Sequence, residues 1–106
     1  MRTIMMLAED IECNIREAEE KITTAYKLRN EHQNMSFWYR DMAAAHLNFN
    51  NKGHDLIAAE ISAYKNGEEH AAHPEYAEGM QVVWNAKHAE LVAYAARVRS
   101  MIDTFK

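Results

Sequence analysis

His46, Asn50 and His54 stand four residues apart along the stretch AAAHLNFNNKGHDLIAAEIS. On a helix, residues four apart are surface neighbours, so the three form a ladder of nitrogen and oxygen donors. Neutral imidazoles bind zinc or iron, and an anionic oxygen completes such a ligand set. Antiparallel alignment of the helical segments described below puts His88 near the height of His54, with Glu12 or Asn14 within reach of both. His54, His88 and Glu12 are therefore the candidate metal set. With zinc or iron bound, the chain would be a metal-binding helical bundle with a possible oxidoreductase role. His70 and His73, beside Glu68 and Glu69, form a second group in a loop, where such residues are more often simply solvated.

The usual helical-bundle metal motif is missing. Ferritin-like di-iron bundles place Glu-x-x-His on facing helices. Three residues before the six histidines stand Arg29, Ala43, Asn51, Gly67, His70 and Asn85. None is glutamate, so iron chemistry cannot be carried over from that architecture. The chain has no Gly-rich phosphate loop, no Cys-x-x-Cys and no nucleophile elbow. Cys13 lies among charged residues on an outer helix face, without a defined basic neighbour to activate it. A non-catalytic assembly or protein-interaction module is the leading expectation, and an enzyme is not expected.

These residues must be held by helices. The 106-residue chain has one proline and three glycines, too few for a turn-rich β fold, and suffices for a single domain over 1–106. Ile4, Leu7, Ala8, Ile11, Ile15, Ala18, Ile22 and Ala25 share one face and, apart from the adjacent Leu7 and Ala8, recur at steps of three and four, a seam for a partner helix. This predicts a first helix over about 3–31. Ser36 is the expected N-cap of a second helix over about 36–65, ended by Asn66-Gly67. Its apolar face is expected to be Trp38, Met42, Phe49, Leu56, Ile57, Ile61 and Tyr64. Pro74 opens a third helix over about 74–105, burying Tyr76, Met80, Trp84, Leu91, Ala95, Val98, Ile102 and Phe105. Three helices of similar length, each about 45 Å, predict an all-α antiparallel three-helix bundle, completed by dimerisation.

Polar residues interrupt these faces. His46 falls on the second helix's apolar face, and Asn50 lies on the same side. Lys87 falls in the third helix's apolar sector, at the expected level of Gly53 and Asn14. His46, Asn50, Tyr94 and Lys87 are thus a candidate buried polar cluster, with His46 expected to bond Tyr94. Gly53 is expected to make room for Trp84, or else to leave a small-molecule pocket with His46 and Tyr94. Arg29 is expected to stack on Trp38, and Phe37 to point away from the core.

The back of the third helix lacks charge. Val82, Ala86, Ala89, Ala93, Ala96 and Ser100 form a second row of small residues at heptad spacing. Small side chains let helix backbones approach closely, so this row is the expected seam of a homodimer. The net charge of −4 argues against a nucleic-acid backbone as partner. No apolar run approaches the ~20 residues of a membrane span. A single cysteine forms no internal disulfide, and a cytoplasmic location is the default expectation.

Overall fold

The computed structural model describes residues 2–67 and 74–106. It is an all-α three-helix bundle, 61 × 18 × 17 Å in extent, built from α1 (Arg2–Leu28), α2 (Gln33–Lys65) and α3 (Pro74–Asp103). Helix α2 runs antiparallel to its neighbours, and α1 and α3 run parallel.

The heptad seam of α1 forms as expected. Ile4, Ala8, Ile11, Ile15, Ala18, Ile22 and Ala25 are all buried, at alternating steps of four and three. The helix stops at Leu28, whose carbonyl accepts from the N–H groups of Glu31 and His32. It therefore ends three residues before the expected boundary. The turn is short enough that α2 starts at Gln33 with His32 as its cap residue. Ser36 is consequently not the N-cap. It lies fully buried inside the first turn, where its hydroxyl donates to the Gln33 carbonyl at 2.7 Å. At the other end, α2 closes at Asn66, whose N–H binds the Ser62 carbonyl, as the Asn66-Gly67 signal predicts.

The buried face of α2 differs from the expected one. Ser36, Ala43, Leu47, Asn50, Ile57 and Ile61 line the core, while Trp38, Phe49 and Leu56 are 59%, 59% and 56% exposed. Two apolar rows run along this helix. The row with the larger side chains is interrupted by Lys52, whose charge is costly to bury unpaired. The other row carries no residue that is charged at neutral pH in its core positions, only the polar Ser36, Asn50 and His54, and it is small enough at Ala43 and Gly53 for α1 and α2 to approach closely. Gly53 marks that approach: a Cβ there would stand 2.8 Å from Cγ1 of Ile11. The glycine makes room for Ile11 rather than for Trp84.

Helix α3 buries Met80, Trp84, Leu91, Val98 and Ile102, and the chain continues to a buried Phe105. Tyr26 anchors this end. Its hydroxyl donates to the Met101 carbonyl at 2.9 Å, and its ring meets Phe105 edge-on at 5.1 Å. Phe37 also packs edge-on against Phe105, so it belongs to the core margin and Trp38 is the exposed member of the pair. Arg29 stacks on Tyr26 instead of Trp38.

Candidate functional site

The α2–α3 contact brings His54 and His88 together. Their ring centroids are 4.9 Å apart, and Trp84 lies 5.6 Å from the first ring and 4.9 Å from the second. His54 occupies the core row of α2, seven residues after Leu47, where α3 meets it. His88 sits one turn after Trp84 on the side of α3 that faces α2. A shallow cleft beside the pair is lined by Asn51, Asp55, Val92 and Ala95. His54 is half-buried, and its Nδ1 is enclosed with no hydrogen-bond partner among the described residues. Burial, followed by the neighbouring His88, holds its pKa below the ordinary value, and Asp55 opposes this.

Glu12 is engaged elsewhere. Its Oε2 lies 2.6 Å from the Lys87 ammonium and its Oε1 lies 3.3 Å from Arg16. The Lys87 hydrogen bond holds the Glu12 carboxyl below its usual range, and the same contact raises Lys87. Among the described residues, no group of three His, Cys, Asp or Glu side chains is placed to hold a metal ion. The second proposed group, His70 and His73 with Glu68 and Glu69, lies outside the described residues.

The polar residues expected to cluster each find a different environment. His46 lies at the α1–α2 boundary, its Nδ1 3.3 Å from Asn14 Oδ1. Tyr94 donates to Glu19 at 2.9 Å instead of meeting His46. Burial and Glu19 together raise its pKa. The reason is register. His46 lies level with Asn14, about two turns from the expected Ile22, because α2 begins earlier and turns a different face inward. Lys87 lies within half a turn of its expected level. Asn50 is the most enclosed of the four: it is 4% exposed, and neither amide atom finds a partner among the described residues.

The small-residue row of α3 is accessible along its length. Val82 is 69% exposed, and Ala86, Ala89, Ala93, Ala96 and Ser100 are all exposed. The outer row of α2 is the feature that sequence reasoning assigned to the core. Its signal was present in the spacing of Trp38, Met42, Ala45, Phe49 and Leu56. The interrupting Lys52 could have marked it as the outer row.

No family model, curated protein or solved structure matches this chain.

Proposed function

We propose that this chain is a non-catalytic assembly module that works by packing its outer helical faces against another helical surface. The observation that carries this reading is the apolar character left outside the core in heptad register. Heptad spacing presents a continuous stripe to a second helix, and solvation alone does not require it. Two stripes are available. The α3 row of Val82, Ala86, Ala89, Ala93, Ala96 and Ser100 is the candidate seam of a homodimer, since its small side chains permit close backbone approach. The α2 row offers the larger side chains Trp38, Phe49 and Leu56, more than half exposed. Among the described residues no helix is long and apolar enough to cross a membrane, which favours a protein surface over a bilayer core as the covering phase. The net charge of −4 disfavours a nucleic-acid partner. A cytoplasmic site of action fits this reading, as does the lone cysteine. The test is the mass in solution over a concentration series. Self-association supports the reading, and a monomer at every concentration removes it in its homomeric form.

A second reading rests on the His54–His88 pair. Two imidazoles bound to one zinc ion at about 2.0–2.1 Å hold their ring centroids about 5 Å apart. The observed spacing of 4.9 Å fits that geometry. Zinc or iron would need its other ligands from water or a partner, because Glu12 is bound to Lys87. Elemental analysis of untagged protein decides this: stoichiometric metal that is lost in His54→Ala and His88→Ala supports it, and metal-free protein removes it.

A further inference from the structure

We infer that the outer row of α2 is a self-association surface, and that it pairs antiparallel with the same row of a second copy. This deepens the assembly reading and rests on it.

Trp38, Met42, Ala45, Phe49, Lys52 and Leu56 follow one another at steps of four and three. That period keeps a stripe facing one partner helix along its whole length. The stripe lies away from the core row of Ala43, Leu47, Asn50 and Ile57, so a second helix can reach it without disturbing the bundle. From Trp38 to Leu56 it runs about 27 Å at 1.5 Å per residue.

Self-pairing decides the direction. In a parallel arrangement each layer meets itself. Lys52 would face the partner's Lys52, and Ala45 the partner's Ala45, giving a like-charge contact and a gap. The antiparallel arrangement, with its two-fold axis at the level of Leu47, matches unlike layers. Phe49 then fills the space over the partner's Ala45, and Trp38 meets the partner's Leu56. Met42 meets the aliphatic stem of the partner's Lys52.

Charge completes the match. Lys52 is the one ionic residue in the stripe, and its ammonium already lies 5.6 Å from the centroid of the Phe49 ring. An antiparallel partner brings Asp41 beside it. In the single chain Arg40 contacts Asp41 through one oxygen, Oδ1, at 3.0 and 3.2 Å, which leaves Oδ2 to accept from the partner's Lys52. The two-fold axis makes this contact twice. An unrelated helix would have to supply both the small residue under Phe49 and the acid beside Lys52. A second copy supplies both. The α3 row offers alanines, which bury less area per residue than Trp38, Phe49 and Leu56.

Sedimentation equilibrium of the full chain tests the pairing, with circular dichroism to verify that each variant keeps its helices. The wild type is expected to be a dimer. Phe49→Glu changes an exposed side chain, so it should leave the fold intact and give a monomer. Lys52→Glu should weaken dimerisation about tenfold or more by placing two acids together. Adding Asp41→Lys to Lys52→Glu should restore the affinity to near the wild-type value. A dimer that survives Phe49→Glu but is lost in Ala93→Glu would overturn the α2 pairing and leave the assembly reading standing. A charge swap that fails to restore a weakened dimer would overturn the antiparallel register. A monomeric wild type at every concentration would overturn both the pairing and the homomeric form of the assembly reading.

Discussion

Lys87 of α3 holds Glu12 of α1 through a 2.6 Å ion pair, and a hydrogen bond joins the same two helices one and two heptads further on. Tyr94 binds Glu19, and Tyr26 binds the Met101 carbonyl. In all three pairs the partners are 75 residues apart in sequence. The parallel helices α1 and α3 are thus fixed in register by a polar rung every seventh residue along the edge of the apolar seam. A slip of one turn would separate all three rungs together.

The first rung has a defined pH dependence. The Glu12 carboxyl is held below its ordinary value near 4.5 in the folded chain, so the unfolded chain takes up a proton first on acidification. The stabilisation is present above that ordinary value and is lost as pH falls through the lower folded value. Glu12→Gln should cost about 0.5–1 kcal/mol at neutral pH, as expected for a partly exposed pair. The difference from wild type should vanish in acid. Urea unfolding of both proteins at several pH values checks this, and a pH-independent difference would assign the cost to packing instead.

His54 shifts in the same direction, but its protonation creates a charge where that of Glu12 removes one. Its folded pKa lies below the ordinary value of 6.5, because burial and His88 oppose the imidazolium. The unfolded chain therefore binds the proton first as pH falls through that value. Stability should fall on acidification from neutral pH and level off below the folded pKa. His54→Leu should flatten that part of the profile. Thermal melts across the interval measure the slope, and an unchanged slope in the variant would place the titration on another group.

Gly53→Ala should be destabilising despite alanine's better helix propensity. Propensity alone favours alanine by about 1 kcal/mol. The new Cβ would stand 2.8 Å from Ile11 Cγ1, and overpacking of this kind costs about 1–3 kcal/mol. In an Ile11→Ala background the obstacle is gone, and the same substitution should become stabilising. A double-mutant cycle reads the change of sign, and additive effects would show that Gly53 and Ile11 are not in steric conflict.

Asn50→Leu should stabilise the bundle by about 1–2 kcal/mol. The amide is buried on the core face of α2 with neither atom satisfied among the described residues, and an enclosed polar group without a partner carries its desolvation cost. Leucine has the same branched shape without that cost, though its methyl groups are somewhat larger. Denaturant unfolding tests it. A loss of stability would show that the amide has a partner, such as an ordered water, that leucine removes.

The sequence by itself determined the class of fold and most of two faces. The α1 row from Ile4 to Ala25 carries one apolar stripe with polar residues opposite, and the larger apolar side chains of α3 from Met80 to Phe105 share one face, with the small residues behind. Only one orientation buries such a stripe, so local periodicity is enough. The proximity of His54 and His88 was legible for a related reason, since helix lengths and short connections limit which levels can meet.

The orientation of α2 was left to the tertiary structure. Its two apolar rows have similar periodicity, and the one with Trp38, Phe49 and Leu56 is the more hydrophobic. The choice falls on the smaller row because Gly53 and Ala43 admit α1 at close range, while Lys52 interrupts the other. That choice moves His46 to Asn14, leaves Asn50 enclosed, turns Trp38 outward and Phe37 inward, and leaves a large apolar row outside the core. Which of two competing faces is buried depends on the shape of the neighbouring helices, and that is a property of the packed bundle rather than of any one segment.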